Sequence, residues 1–130
     1  MTLTDEDRDT LIKYNVEKSK KAIEDAQFLI ENNKLNIAAN RIYYGIFYIL
    51  SALALKHRFS TKKHHQLHGW FNKNFIHTNI IDEKYGKIVK QAFKIRSDAD
   101  YDVTKIFSNE LIEKSFEEMK EIISSIEKLL

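Results

Sequence analysis

The stretch Ile37–Leu55, IAANRIYYGIFYILSALAL, limits the possible folds of this chain more than any other segment. Arg41 is its only charged residue, and apolar side chains lie in nearly every direction around a helical wheel. A helix of this kind has to be covered on most of its sides. It is interrupted at Asn40, Gly45 and Ser51 and is close to the minimum length for crossing a bilayer, so we expect no membrane partner.

A minority polar stripe runs along this predicted helix. Arg41, Tyr44, Tyr48 and Ser51 are separated by three, four and three residues, which places them on one helical face. An arginine inside a buried helix needs a partner or a water-lined cleft. The stripe therefore marks either a functional seam or a paired core arginine beside tyrosines at a helix interface, and spacing does not separate the two.

Composition indicates a single all-α domain over residues 1–130. Of the 130 residues, 43% are hydrophobic, none is proline and only three are glycine, whereas sheets and tight turns would require more of both. The chain has no cysteine, which excludes disulfides and thiolate chemistry. The acidic, polar start MTLTDEDRDT does not resemble a signal peptide, so we expect a cytoplasmic protein.

The net charge of +2 conceals an uneven distribution. Residues 1–55 carry −1, residues 56–96 carry +8, and residues 97–130 carry −5. All five histidines also lie in the basic middle segment. Such a segment suggests an anionic partner such as RNA or a nucleotide phosphate, although a solvated lysine face gives the same pattern.

Capping residues and apolar seams predict an up-down bundle of about five helices. The first helix starts at Thr4 and ends at Asn32-Asn33, and it forms an antiparallel hairpin with the central helix. Heptad-like seams run along the first and last helices, with Ser108 capping the last.

The middle elements are shorter. Ser60-Thr61 can cap a third helix over His64–Ile76, and Asp82 can cap a fourth. We predict that the fourth helix ends near Arg96 and that residues 96–102 form a turn, because Asp98, Asp100 and Asp102 do not suit a helix C-terminus.

Most familiar bundle chemistries do not fit the sequence. There is no Glu-x-x-His pair for a di-iron site, and there is no glycine-rich phosphate loop. His64 and His68 lie one turn apart and could hold zinc, but no third ligand is evident. We therefore predict no metal and no cofactor.

The remaining candidate centres on Arg96, with Asp100 and Tyr101 close behind it. These side chains could converge with those of Arg41, Tyr44 and His64. Arginine would bind a phosphate and stabilise developing charge, while histidine or a carboxylate would take a proton from a ribose hydroxyl, as in a metal-free ribonuclease. The alternative is that Arg96 and Asp100 form only a local salt bridge.

The same motifs carry a resemblance to a family. The helix reads AANRIYYGIFYILSALAL and the later segment reads RSDADY. Together they resemble the HEPN superfamily of small helical bundles, in a branch with Ala-x-x-Arg-x-Tyr-Tyr, a basic turn ending in histidine, and Arg-x-x-Ala-Asp-Tyr. The matching residues here are Ala38, Arg41, Tyr43, Tyr44, Lys62, Lys63, His64, Arg96, Ala99, Asp100 and Tyr101.

The resemblance implies a toxin–antitoxin or defence role. Many HEPN proteins are toxins that cut RNA without metal, using Arg-x(4–6)-His from both chains of a homodimer. Many are encoded beside a minimal nucleotidyltransferase, which in some pairs adenylylates a tyrosine two residues after that histidine. Exposed aromatics such as Tyr48 and Trp70 would also need cover in a dimer.

This chain departs from the catalytic pattern, because Tyr101, Asp102 and Val103 occupy the possible histidine positions. Position 103, two beyond Tyr101, is not the tyrosine that would be adenylylated. As a ribonuclease, the chain would use Arg96 on the phosphate and His64 as the base, with help from Tyr101 and Arg41. As a nucleotide- or RNA-binding module, it would use Arg41, Tyr44, Arg96, Asp100 and Tyr101. A purely structural bundle is the third possibility.

Overall fold

The first two helices form the predicted hairpin. In the computed structural model, which describes residues 3–102 and 104–130, α1 spans Asp5–Glu31 and α2 spans Leu35–Lys56. The Thr4 hydroxyl accepts a hydrogen bond from the backbone N–H of Asp7 at 3.0 Å, which confirms the predicted cap. Asn33 adopts a φ of 59° in the turn, a left-handed conformation that asparagine tolerates.

Helix α2 is the centre of the bundle and contacts all four other helices. Twelve of its residues are buried. By length and composition α2 could cross a membrane, but 61% of its most apolar 18-residue window is buried inside the bundle. Gly45 permits the closest approach, because a Cβ atom there would collide with the Met119 side chain and lie 3.1 Å from Ala22 Cβ. The apolar character of α2 is thus accounted for by packing within the bundle.

The third helix is shorter and more irregular than predicted. Helix α3 spans His64–Phe71, and a π-helical turn continues it over Asn72–Ile76. The predicted cap by Ser60-Thr61 is wrong, because Lys63 is the N-cap residue of α3. The Thr61 hydroxyl accepts a hydrogen bond from the Lys63 backbone N–H at 3.1 Å. Trp70 stacks on Phe59 with an angle of 1° between the rings. This contact joins α3 to the chain that follows α2.

The predicted turn at residues 96–102 is wrong, since α4 spans Lys84–Tyr101 and includes most of that segment. Two ion pairs, each between residues four apart, explain the extension. Arg96 Nε lies 2.8 Å from Asp100 Oδ2, and Lys94 Nζ lies 3.3 Å from Asp98 Oδ2. These pairs offset the unfavourable placement of acidic groups near a helix C-terminus. At the start of α4, the Asp82 carboxylate accepts a hydrogen bond from the Lys84 N–H at 2.9 Å.

The last helix completes the predicted all-α bundle. Helix α5 spans Asn109–Glu127, and the Ser108 hydroxyl caps it by accepting from the Leu111 N–H at 3.1 Å. Its apolar seam packs on α2, with Met119 and Ile123 at the contact with Gly45. The bundle also covers part of Tyr48 and Trp70, so the expectation that they are exposed is wrong.

Candidate functional site

The hydroxyl of Tyr43 makes two short hydrogen bonds inside the bundle. The Tyr43 side chain is fully buried, and its oxygen lies 2.6 Å from His64 Nδ1 and 2.8 Å from His68 Nε2. Helix α2 supplies the tyrosine, and one turn of α3 supplies both histidines. Because a hydroxyl has one hydrogen, Tyr43 donates to one ring and accepts an N–H from the other.

The surroundings hold all three groups in their neutral forms at neutral pH. Burial is the main cause that raises the pKa of Tyr43 well above its ordinary value. Burial and the neighbouring His64 and His65 lower the pKa of His68 to about 4. Burial, Arg96 and His65 also lower the pKa of His64. A neutral His64 keeps a lone pair on one ring nitrogen, which is the form that a proton acceptor requires.

Arg96 lies against the aromatic side chains of α2. Its guanidinium carbon is 5.9 Å from the ring centroid of Tyr43 and 5.3 Å from that of Tyr44. One terminal nitrogen donates to the Tyr44 hydroxyl at 3.2 Å. The Nε forms an ion pair with Asp100 but is not aligned for a hydrogen bond, so this buried donor has no hydrogen-bond acceptor among the described residues. The guanidinium group of Arg96 is thus held in place by Tyr44 and Asp100.

A second arginine approaches the same tyrosine. The guanidinium carbon of Arg41 lies 5.4 Å from the Tyr44 ring centroid. Its nitrogens donate at 3.1 and 2.8 Å to the neutral amide oxygen of Asn40 rather than to a carboxylate. The amide nitrogen of Asn40 in turn contacts Asp100 at 3.5 Å. Two cations and one carboxylate thus surround Tyr44, which leaves a positive site suited to an anion.

The structure brings together most of the residues predicted for the site, which we call the Arg–Tyr–His site. It contains Arg41, Tyr43, Tyr44, His64, His68, Arg96 and Asp100. Tyr101 is not brought into this group, and its side chain is 79% exposed. Residues five apart on a helix point about 140° apart, so Tyr101 does not share the face of Arg96. Asp102 bonds to Thr104, and Val103 lies outside the described residues.

Sequence reasoning missed two members of this site. The sequence singles out Tyr43 only as part of the family motif and His68 only as half of a possible zinc pair. The spacing of His64 and His68 was the available signal, since it places two imidazoles on one face of α3. The structure shows that they share a tyrosine hydroxyl. Within the described residues, no group of three or more His, Asp or Glu side chains could hold a metal ion.

Comparison with known proteins is consistent with this architecture. Residues 12–129 match the family model described as HEPN domain. A protein of Thermotoga maritima named "UPF0332 protein" is 31% identical over 124 residues, which covers 95% of this chain and 94% of the relative.

Two relatives from Methanocaldococcus jannaschii carry the name "Putative toxin". One is 36% identical over 89 residues, covering 68% of this chain and 60% of the relative. The other is 32% identical over 94 residues, covering 72% and 70%. The fold, the extent of the family match and these relatives together show that the chain belongs to the HEPN domain family.

Proposed function

We propose that this HEPN protein is toxin-like and binds the phosphate of an RNA or nucleotide at the Arg–Tyr–His site. One observation carries the proposal: the guanidinium groups of Arg41 and Arg96 lie 5.4 and 5.3 Å from one aromatic ring, and only Arg96 is paired with a carboxylate. Each guanidinium group can bind phosphate oxygens through planar, charged hydrogen bonds. Two relatives named as toxins support the toxin-like part.

RNA binding can be tested with a labelled single-stranded RNA and fluorescence anisotropy. Arg41→Ala and Arg96→Ala should each weaken binding about 10- to 100-fold, the usual effect of losing a charged hydrogen bond. Arg58→Ala is the matched control, because Arg58 has a 66% exposed side chain and pairs with Asp5 outside this site. Equal losses in all three variants, or no binding by the folded wild type, would contradict the proposal.

A second candidate function is metal-independent RNA cleavage, which the position of His64 favours. His64 is neutral, and only its Nδ1 is bonded to Tyr43. In the tautomer whose Nδ1–H donates to Tyr43, the other ring nitrogen of His64 keeps its lone pair and could take the proton of a ribose 2′-hydroxyl. That oxygen attacks the phosphorus, and the 5′-oxygen leaves and takes a proton from water. Arg96 would stabilise the charge on the phosphate oxygens. The family histidine is absent from positions 101–103, so this chemistry would depend on α3.

An RNA cleavage assay in EDTA distinguishes binding from catalysis. Wild type, Arg96→Ala and His64→Ala should be compared after circular dichroism has verified that each is folded. Cleavage lost in both variants supports catalysis by His64. If only Arg96→Ala loses cleavage, Tyr101 and Asp102 become the next residues to substitute. RNA that is bound but left intact by the wild type rejects cleavage and leaves the binding role.

We also propose that the chain acts in the cytoplasm as a homodimer, paired with a minimal nucleotidyltransferase. Large hydrophobic side chains are exposed at Phe28, Ile37, Tyr101 and Ile106, with Tyr101 and Ile106 79% and 91% exposed. These residues, rather than Tyr48 and Trp70, are the ones that a partner could cover.

Growth inhibition on expression, relieved by co-expression of a neighbouring nucleotidyltransferase gene, is the expected result for the pair. Light scattering would give the oligomeric state. A strictly monomeric protein would contradict the proposed homodimer. Expression that leaves growth unchanged would contradict the proposed pairing with a nucleotidyltransferase.

A further inference from the structure

A second concave surface lies beside the Arg–Tyr–His site, between α3 and α4. This α3–α4 cleft has a volume of about 980 Å³. One wall consists of His65, His68, Asn72 and Ile76, from α3 and the π-helical turn. Helix α4 forms the opposite wall. The volume is at the upper end of the range for small-molecule sites, so an elongated ligand fits better than a single small one.

The α4 wall carries a row of cations. Lys87, Lys90 and Lys94 line the cleft and are separated by three and four residues, so they share one face of the helix. Lys94 is paired with Asp98 at 3.3 Å. Lys87 and Lys90 are exposed and take part in no ion pair within the described ranges. Glu83 and Asp98 also line the cleft, so its three lysines exceed its carboxylates by one, and this excess favours an anionic ligand.

The interior of the cleft is aromatic and apolar. The Phe93 ring centroid lies 5.5 Å from that of His65 and 5.3 Å from that of His68. Ile76 and Val89 contribute aliphatic surface beside them. Planar rings beneath a row of cations suit nucleobases, which stack on aromatic side chains while lysines hold the phosphates. An acidic peptide would use the lysines but would gain less from the aromatic interior.

The cleft is physically continuous with the Arg–Tyr–His site. Phe93 faces the cleft and also contacts Tyr43 and His64, with centroid distances of 5.2 and 5.8 Å. His68 lines the cleft and bonds to Tyr43 at 2.8 Å. Ser97 and Asp98, which follow Arg96 directly, also line the cleft. A ligand longer than one nucleotide can therefore contact both surfaces.

We propose that the α3–α4 cleft binds the flanking nucleotides of a single-stranded RNA whose phosphate is held at the Arg–Tyr–His site. This inference rests on the proposed function and extends it: it selects a single-stranded RNA over a free nucleotide as the ligand. The bases lie against Phe93 and the two histidines, and Lys87 and Lys90 contact the phosphates. Affinity then depends on RNA length until both surfaces are occupied.

The test compares short and long RNA on matched variants. Anisotropy is measured with 2-nucleotide and 12-nucleotide oligouridylates on wild type, Lys87→Ala/Lys90→Ala, and Lys13→Ala/Lys128→Ala. The control pair removes the same charge from exposed positions outside the cleft. We expect the cleft variant to bind the long RNA about tenfold more weakly and the short RNA unchanged. Its salt slope should fall by about 1.4, or 0.7 for each lost phosphate contact.

Three outcomes would overturn the proposal. In the first, the cleft variant and the control variant bind the long RNA equally well. In the second, affinity does not change with RNA length. In the third, polyglutamate displaces the long RNA as well as unlabelled RNA does, which would assign the cleft to an acidic protein.

Arg96→Ala separates this proposal from the proposed function. If Arg96→Ala binds RNA normally while the cleft variant does not, the Arg–Tyr–His site is wrong and the cleft binds RNA alone. Histidine NMR provides a readout besides affinity. The long RNA should shift the ring signals of His65, which lines the cleft but is not part of the Arg–Tyr–His site, and should leave them in place in Lys87→Ala/Lys90→Ala. Unshifted signals in RNA-saturated wild type would also contradict occupancy of the cleft.

Discussion

Helix α2 packs against its neighbours through apolar contacts on one side and through hydrogen bonds on the other. Toward α1 and α5, Gly45 allows Ala22 and Met119 to pack directly on the helix, and the side-chain atoms nearest to Gly45 are all apolar carbons. Toward α3 and α4, Tyr43 and Tyr44 meet histidines and an arginine through hydrogen bonds. Packing on the first side depends on steric complementarity, and packing on the second side depends on hydrogen bonds to buried polar groups. We therefore expect that substitutions on the apolar side change stability without changing the proposed ligand binding.

The apolar side should show the largest effect on stability. Met119 is fully buried, and Met119→Ala should lower the free energy of unfolding by about 2–5 kcal/mol through a cavity against Gly45. Adding Gly45→Ala should recover about 1 kcal/mol, because alanine fills part of that cavity and favours helix. Urea denaturation measures both changes. RNA affinity of the folded variants should stay within twofold, and a larger loss would show that the two sides are coupled.

Tyr43→Phe tests the polar side by removing one hydroxyl. The loss leaves His64 Nδ1 and His68 Nε2 without their shared partner, so we expect a destabilisation of about 1–3 kcal/mol. Tyr14→Phe removes a hydroxyl from a 56% exposed tyrosine and should change little. Denaturation curves for the two variants give the difference. If Tyr43→Phe and Tyr14→Phe were equally stable, the two hydrogen bonds of the Tyr43 hydroxyl would contribute no net free energy to folding.

The polar side should also respond to acid. The pKa of His68 is about 4 in the folded protein and near 6.5 when unfolded. Between these values the unfolded chain binds more protons, so the free energy of unfolding should fall as pH drops from about 6.5 to about 4. The urea midpoint of His68→Asn should fall less over this window than that of wild type. His77→Asn, at an exposed position, should behave as wild type does, and identical pH curves for all three would reject the assignment.

The smallest effect is expected where the polar side meets solvent. Asp100→Asn removes the ion pair with Arg96, whose side chains are 14% and 28% exposed, and should cost about 1 kcal/mol. It also removes the carboxylate that competes with a phosphate for Arg96, so RNA affinity should rise a few-fold. A purely structural role for the pair predicts the stability loss with no change in affinity. Calorimetry and anisotropy on the same preparation distinguish these results.

Sequence patterns were sufficient for the apolar framework. Periodicity predicts the apolar seams of α1 and α5 and the central position of α2, because burial on one face repeats at helical spacing. Residue type predicts the Thr4 and Ser108 caps. The end of α4 did not follow. Acidic residues near a helix C-terminus are unfavourable in isolation, and the ion pairs made by Arg96 and Lys94 reversed that preference.

The candidate site was only partly predictable for a related reason. Arg41, Tyr44 and Arg96 stand out as polar residues in apolar surroundings, and the structure brings them together. Tyr43 does not stand out, because its role depends on the tertiary placement of α3, which brings His64 to the Tyr43 hydroxyl. The π-helical turn after Phe71 also has no sequence signature here, although it forms one wall of the α3–α4 cleft.

The stacking of Trp70 on Phe59 has a practical consequence. Trp70 is the only tryptophan in the chain, so all tryptophan emission comes from one ring on α3. That ring also contacts Phe75 at a centroid distance of 5.4 Å. A shift in emission while the helical content holds would therefore report that α3 has moved away from its neighbours without unfolding of the bundle. Trp70 therefore reports on the helix that contributes residues to both proposed binding surfaces.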